Sequence, residues 1–339
     1  MKIIESEGLR LNRWPNRENP QPLLQPRVDV NWEAGGVYNP SVVRGVDGNF
    51  HMVYRAVSDQ VKEGALRIDR PGHYYENRHS YIGYGVSGDG VNFKRFNEPL
   101  ISPSESYDVG GCEDPRITLI EDTYWITYTA IEGTLDDLNK RPKIRIALAS
   151  TKDFKEINKL GVIGPNNESK AAAIFPEKIN GEFQMLFTNN SDSAASKISL
   201  INFESFDDLI NCKIDWAEDV KTVLDSNELY HRGPEVGAVP VNTKVGWLLV
   251  FSTESFCNIW TTSIALLDKE NLSKIISRTS GYVLQPATDY EMNGIVPNVT
   301  FPEGAVIIDD KLYVYYGAAD TVIGLATIDI NKLLSYLSS

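Results

Sequence analysis

The sequence predicts an all-β protein whose fold is a five-bladed β-propeller. An aromatic-rich strand segment recurs five times, with starts roughly 60 to 75 residues apart. Each copy is preceded by another strand and a polar turn, and is followed by a third strand of alternating pattern. One such unit cannot bury both of its faces, so five copies indicate a repeat architecture. Antiparallel blades around a central channel form a propeller.

The three strands of each unit are predicted as follows. The aromatic segments are residues 49–56, 123–130, 182–187, 246–251 and 311–318. The leading strands are residues 40–47, 115–122, 172–181, 236–246 and 304–310, and the third strands are 80–86, 143–150, 197–203, 260–267 and 321–328. No sustained helical periodicity competes, and a pair of β-sandwiches is the alternative that the repeat count disfavours.

One domain is expected over residues 1–339, with residues 1–30 packing on the propeller or closing it. Residues 331–337 are expected to form a helical turn or a closing strand. The long loop at residues 61–78 is charged and aromatic, and it is expected either to line a binding mouth or to be a solvated surface excursion.

The composition indicates an ordinary soluble globular protein of 339 residues, 42% hydrophobic and 23% charged. The net charge of -13 argues against nucleic acid and anionic membrane surfaces as partners. The N-terminus lacks a hydrophobic signal core, and no apolar run approaches the ~20 residues of a membrane span, which predicts a cytoplasmic protein. Three dispersed cysteines and four histidines predict no disulfide, metal or cofactor. Homo-oligomerisation stays open.

The chemistry centres on the stretch Gly-Gly-Cys-Glu-Asp-Pro-Arg-Ile-Thr at residues 110–118. Proline cannot donate to a strand ladder, so Pro115 is predicted to open a strand and to hold Asp114 at its mouth. Arg116 follows on the same side of the strand. Asp114 is therefore either a catalytic acid or half of a structural ion pair with Arg116.

In a propeller, the innermost strands all begin at one end of the central channel. The residues that lead these strands are Asn39, Ser41, Glu113, Asp114, Lys170, Glu235 and Glu303. Carboxylates, amides and a base that converge near aromatic rings are typical of a sugar site. A lectin-like binding module would use the same residue types.

Four stretches, in this order along nearly the whole chain, carry a family resemblance. They are residues 32–41, 111–118, 173–181 and 296–321, the second of which reads GCEDPRIT. The chain resembles glycoside hydrolase family 130, the β-mannoside phosphorylases and mannosidases. The resemblance implies a five-bladed propeller, in agreement with the repeat.

The resemblance also implies roles for particular residues. Asp114 matches the general acid, whose proton is thought to reach the glycosidic oxygen through a sugar hydroxyl. Asn39, Arg55 and Asp320 match positions that hold the mannose on the non-reducing side. Arg116 matches the motif's arginine, to which we assign an orienting role.

Departures from the family pattern concern the basic residues with which the phosphorylases bind phosphate. Lys170 is kept, but Asn189–Asn190 stands where an arginine is usual, Glu235 where a lysine is usual, and Ser252–Thr253 where a histidine is usual. The residue after the Phe-Pro pair, typically small, is Glu303. Each lost contact is a charge-assisted hydrogen bond, and each gained carboxylate repels a dianion.

We therefore predict an inverting exo-β-mannosidase that hydrolyses short β-mannosides. Asp114 is the acid, and Glu235 and Glu303 hold and deprotonate the water, as in inverting enzymes with two separated carboxyl groups. The β-1,2 linkage rests on the resemblance alone. One alternative is a β-mannoside phosphorylase, in which His231 and Arg232 would restore the anion site. The alternative from another class is a non-catalytic sugar-binding propeller.

Overall fold

The strands of the chain form five sheets arranged as the blades of a propeller, which confirms the predicted fold. The structure is a computed structural model that describes residues 1–58, 79–133, 142–191, 193–226 and 231–338. The predicted loop 61–78 lies outside these described residues. The chain begins with two short strands, β1 (Lys2–Ile4) and β2 (Asn12–Arg13).

The five blades follow in chain order, each antiparallel within itself. Blade 1 contains β3 (Gly36–Arg44), β4 (Phe50–Val57), β5 (Ser80–Ser87) and β6 (Lys94–Arg95), and blade 2 contains β7 (Gly111–Ile120), β8 (Thr123–Glu132), β9 (Lys143–Thr151) and β10 (Asn158–Val162). Blade 3 contains β11 (Ser169–Ile174), β12 (Phe183–Asn189), β13 (Lys197–Phe203) and β14 (Lys221–Leu224). Blade 4 contains β15 (Arg232–Val236), β16 (Val241–Thr243), β17 (Gly246–Glu254), β18 (Trp260–Leu267) and β19 (Ile275–Thr279), and blade 5 contains β20 (Thr300–Ile308), β21 (Lys311–Ala318) and β22 (Val322–Asp329).

The middle strands have apolar side chains on both faces, and each face packs against a different neighbouring blade. On β17, Leu248 and Val250 pack against blade 5, whereas Trp247 and Leu249 pack against blade 3. Successive side chains on a strand point to opposite faces, so a strand between two blades must be apolar on both. The described chain has five such clusters of buried residues, one between each pair of neighbouring blades.

The two N-terminal strands complete the last two blades. Strand β1 pairs in parallel with β19, and β2 pairs antiparallel with β22. Each is added at the outer edge of its sheet, where a strand would otherwise expose unpaired backbone groups.

Residues 331–337, for which a helical turn or a closing strand was expected, belong to a helix. Besides the short helices α1 (Phe206–Ile210) and α2 (Asp289–Met292), the described chain ends in α3 (Ile330–Ser338). Its buried Leu333, Leu334 and Leu337 pack on the interface of blades 4 and 5. Within the described residues, no helix combines the length and the apolar character that crossing a bilayer requires.

The prediction that Pro115 opens its strand is wrong. The observed strands begin three to four residues before the predicted starts, and Pro115 lies inside β7. The ladder shifts register between Glu113 and Arg116, so two residues of β7 face one residue of β8. A bulged residue needs no ladder N–H, and a strand can therefore continue through a proline at a bulge.

The same irregularity occurs in every innermost strand. Strands β3, β11, β15 and β20 shift register at Asn39, at 171–172, at 233–234 and at Glu303. Proline lies in or beside four of the five bulges. A bulge bends a strand and changes the direction of its side chains, so five bulges at equivalent positions form a ring inside the channel.

Candidate active site

The ring of bulges brings together side chains from all five blades. Asn39, Asp114 and Glu303 are themselves bulge residues, and Lys170 and Glu235 flank the bulges of β11 and β15. Asn39 and Asp114 have left-handed backbones, with φ of 51° and 48°. Asn and Asp tolerate this conformation better than most residues, which partly explains why these two residue types occur at the bulges.

Asp114 is held in its ionised form. Its Oδ1 accepts a hydrogen bond of 2.8 Å from Asn39 Nδ2 and one of 3.2 Å from Arg55 Nη1. Burial raises the pKa of this carboxyl, but the charges of Arg55, Lys170 and Arg116 and the Asn39 hydrogen bond outweigh it, and the pKa is lowered. The resting site therefore contains an Asp114 carboxylate.

Arg55 connects both carboxylates of the central motif. Its Nη2 donates to Glu113 Oε1 at 2.5 Å, and Ser80 Oγ donates to the same oxygen at 2.8 Å. Its guanidinium carbon lies 4.9 Å from the centre of the Tyr38 ring, a cation–π distance. Burial opposes the charge of Arg55, but Glu113, Tyr38, Asp114 and Asp320 together raise its pKa, which places Asp320 in the same electrostatic group.

Arg116 crosses the channel instead of pairing with the Asp114 carboxylate. Its side chain is 1% exposed, and it donates to the backbone oxygens of Gly237, Val236 and Asp114 at 2.8–3.0 Å. Its Nη2 also lies 3.2 Å from Glu303 Oε1. This guanidinium therefore connects blade 2 to blades 4 and 5.

Glu235 and Glu303, the two glutamates predicted to hold the water, are fully buried, and each lies beside a cation. Glu235 Oε2 is 3.2 Å from Lys170 Nζ. The contact of Glu303 with Arg116 is an ion pair only, because its oxygens accept no hydrogen bond from the described residues. Burial and the nearby Asp114 raise the pKa of Glu303 well above its ordinary value, against the lowering effect of Arg116. Glu303 therefore keeps its proton to a higher pH than an ordinary glutamate.

Three other candidate residues, Ser41, Arg232 and His231, each contact a group of the protein. Ser41 is 1% exposed, and its hydroxyl accepts the backbone N–H of Ile117 at 3.2 Å, so it joins β3 to β7. Arg232 Nε lies 3.1 Å from Glu254 Oε2, and His231 Nδ1 lies 3.7 Å from the same oxygen. These two bases therefore face a carboxylate of their own.

Sequence reasoning missed the groups that orient the site residues. Tyr38 was recognised only within the stretch that carries the resemblance, although its place directly before Asn39 on an innermost strand could have suggested a role. The backbone oxygens that fix Arg116 have no signal in the sequence, because any residue supplies them.

A comparison with known protein families shows to which family the chain belongs. The family model described as Glyco_hydro_130, beta-1,4-mannooligosaccharide phosphorylase, matches residues 30–339. The chain belongs to glycoside hydrolase family 130. A curated relative of this family 130 protein, the beta-1,2-mannobiose phosphorylase of Thermoanaerobacter sp. (strain X514), is 35% identical over 96% of this chain and 99% of the relative.

Solved structures agree with the propeller of this family 130 protein. The beta-1,2-mannobiose phosphorylase from Listeria innocua, in complex with beta-1,2-mannobiose, superposes with a TM-score of 0.78 at 26% identity, covering 97% of this chain and 99% of that one. A second structure, reported with the finding that family 130 contains glycoside hydrolases that target beta-1,2 mannosidic linkages in Candida mannan, superposes with a TM-score of 0.74. At 21% identity over 97% of both chains, it shows the shared fold alone.

Proposed function

We propose that this family 130 protein is an inverting exo-β-mannosidase that hydrolyses short β-mannosides. The observation that supports hydrolysis is the charge of the site. Among the described residues it contains three cations, Arg55, Arg116 and Lys170, and five carboxyl groups, Glu113, Asp114, Glu235, Glu303 and Asp320. Even with Glu303 neutral, the remaining carboxylates outnumber the cations that an inorganic phosphate dianion would need.

The cations are also engaged by groups of the protein. Arg116 donates three hydrogen bonds to backbone oxygens, and Lys170 lies 3.2 Å from Glu235. Arg55 donates to both Glu113 and Asp114. A phosphate would have to displace these partners, and the displaced carboxylates would stay nearby. Water carries no charge and meets no such barrier.

The proposed reaction uses Asp114 as acid and the two glutamates as base. As the bond from the anomeric carbon to the glycosidic oxygen breaks, that oxygen receives the proton of Asp114, directly or through a sugar hydroxyl. A water held by Glu235 and Glu303 attacks the opposite face of the anomeric carbon and gives its proton to one of them. The β-linkage thereby yields α-mannose.

The ionisation of the resting site constrains this scheme. Asp114 and Glu303 influence each other, so one proton belongs to the pair and not to either carboxyl alone. The lowered pKa of Asp114 and the raised pKa of Glu303 favour the proton on Glu303 before substrate binds, whereas the reactive form has it on Asp114. The sugar would promote the shift by excluding water from Asp114, which raises the pKa of a carboxyl.

The proposed substrate class rests on the names of the relatives and on the residues expected to bind the mannose at the non-reducing end. Asn39, Arg55 and Asp320 are proposed to bind the hydroxyls of a terminal mannose. The relative and the Listeria structure both carry beta-1,2-mannobiose in their names, which favours a β-1,2 linkage.

Phosphorolysis is the second candidate, because the curated relatives are named as phosphorylases. The deciding experiment incubates the protein with β-1,2-mannobiose in phosphate-free buffer and again with added phosphate. We expect free mannose at the same rate in both, appearing first as the α-anomer by NMR. Asp114→Asn is the inactive control. Mannose 1-phosphate formed only with phosphate would overturn hydrolysis, and binding of the disaccharide without any turnover would favour the sugar-binding propeller.

A further inference from the structure

The two ends of the Asn39 amide lie in unlike surroundings. Its Nδ2 donates to Asp114 Oδ1 at 2.8 Å. Its Oδ1 is buried and accepts no hydrogen bond from the described residues. A buried amide oxygen without a donor is unfavourable, so something other than a hydrogen bond must keep this end in place.

Gly317 packs directly against the Oδ1 atom of Asn39. A Cβ added to Gly317 would lie 2.1 Å from Asn39 Oδ1, 2.9 Å from its backbone nitrogen and 3.2 Å from its Cγ. Carbon and oxygen atoms that are not bonded do not approach this closely. The amide oxygen therefore lies where any other residue at 317 would place its side chain.

The backbones of both residues are held in place. Gly317 is in β21, between Phe301 of β20 and Ile323 of β22, so its backbone is held on both sides by the blade 5 ladder. Asn39 is a bulge residue with a left-handed backbone. A side chain at 317 would therefore displace the Asn39 amide, which is the softer of the two, and withdraw its Nδ2 from Asp114.

We propose that Gly317 is a positioning residue, whose missing side chain fixes the Asn39 amide so that its nitrogen faces Asp114. It acts across the interface of blades 5 and 1, without contacting the substrate. The activity tests of this proposal rest on the proposed mannosidase function, whereas the stability test does not.

The first test is a double-mutant cycle of Gly317→Ala and Asn39→Ala. In the wild-type background we expect Gly317→Ala to lower kcat/KM for β-1,2-mannobiose by about tenfold to a hundredfold, the usual effect of a misplaced catalytic group. In the Asn39→Ala background the same substitution should cost several-fold less, because the contact with Oδ1 is gone and only the 2.9 Å approach to the backbone nitrogen remains. Equal losses in both backgrounds would overturn the proposal.

A pH profile separates positioning from general damage. The other charged groups that act on Asp114 are Arg55, Lys170, Arg116 and Glu303, and they stay unchanged, as does Glu113, which pairs with Arg55. The Asn39 bond lowers the pKa of Asp114, so losing it raises that pKa and should move the alkaline limb of kcat/KM to higher pH. Gly324→Ala is the matched control, because its Cβ would lie 2.2 Å from the Tyr316 ring, and its three nearest atoms all belong to Tyr316 and none to Asn39. The proposal fails if Gly317→Ala and Gly324→Ala give the same limb.

Unfolding measurements decide the proposal independently of catalysis. Urea unfolding of the four proteins of the cycle should show that Gly317→Ala destabilises the wild type more than it destabilises Asn39→Ala. If Gly317→Ala does not fold, a folded double variant still demonstrates the clash, and an unfolded double variant refutes it. A wild type that turns over no mannoside would refute the proposed function while leaving this stability coupling measurable.

Discussion

At the scale of single residues, the surroundings of Asp114 and Glu303 shift the pKa values of these two carboxyl groups in opposite directions. Asp114 accepts hydrogen bonds from Asn39 and Arg55, whereas Glu303 is fully buried and accepts none from the described residues. Hydrogen bonds and cations favour the charged form, and burial favours the neutral form. Two carboxyls whose surroundings separate their pKa values are a frequent arrangement for acid and base catalysis.

Asp114→Asn tests the acid. The variant keeps the shape of the side chain but has no proton to give, so we expect turnover of β-1,2-mannobiose to fall by about 10²–10⁴-fold. Asp122→Asn, at the exposed turn after the same strand, is the control and should keep full activity. Retention of more than about a tenth of the activity by Asp114→Asn would remove Asp114 from the acid role.

Glu303→Gln tests the buried proton through stability. Unfolded Glu303 ionises near its ordinary pKa of 4.5, whereas the folded protein keeps the proton to higher pH because the raised native pKa reflects burial. The folded state thus binds more protons above pH 4.5, so wild-type stability should fall as pH rises through that window. The melting-temperature difference between Glu303→Gln and wild type should therefore grow from about pH 5 to about pH 8. A constant difference would show that Glu303 is already ionised.

At the scale of elements, the blade 5 sheet is completed by a strand from the other end of the chain. Strand β2 is only two residues long, so its two-residue ladder is a weak attachment. Arg13 adds to it by donating to the fully buried Glu291 at 2.7 and 2.9 Å. Glu291 also accepts from the Tyr316 hydroxyl at 2.7 Å.

Arg13→Ala should therefore destabilise the protein by about 3–5 kcal/mol, since it leaves a buried carboxylate without its cation. Urea unfolding measures the change. Lys152→Ala breaks an exposed pair with Asp122, 67% exposed on both sides, and should cost about 1 kcal/mol or less. Equal effects of the two substitutions would show that Arg13 does not anchor the strand.

At the scale of the whole molecule, the N-terminal segment contributes to both the sheets and the core. Ile4, Leu9 and Leu11 are buried in the cluster between blades 4 and 5. Burying each such side chain contributes about 1.5–3 kcal/mol, and a domain is stable by only about 5–15 kcal/mol.

Removal of residues 2–13 should therefore abolish cooperative thermal unfolding, as followed by circular dichroism. Ile3→Ser is the matched control, because Ile3 lies on β1 but is 47% exposed and should leave the melting temperature nearly unchanged. If the shortened protein melts within a few degrees of the wild type, the closing strands are dispensable.

By itself, the sequence determined the repeat and therefore the propeller, because alternation and turn chemistry are local properties that each unit carries in its own residues. The family resemblance in the sequence also identified Asp114 as a candidate catalytic residue. The departures from the family pattern identified Glu235 and Glu303. The tertiary structure decided where strands begin, since a bulge at Pro115 exists only against the partner strand β8. It likewise decided that Arg55 and not Arg116 binds the Asp114 carboxylate, and that Gly317 supports Asn39. These contacts join residues from different blades, and their distances depend on how the ring closes.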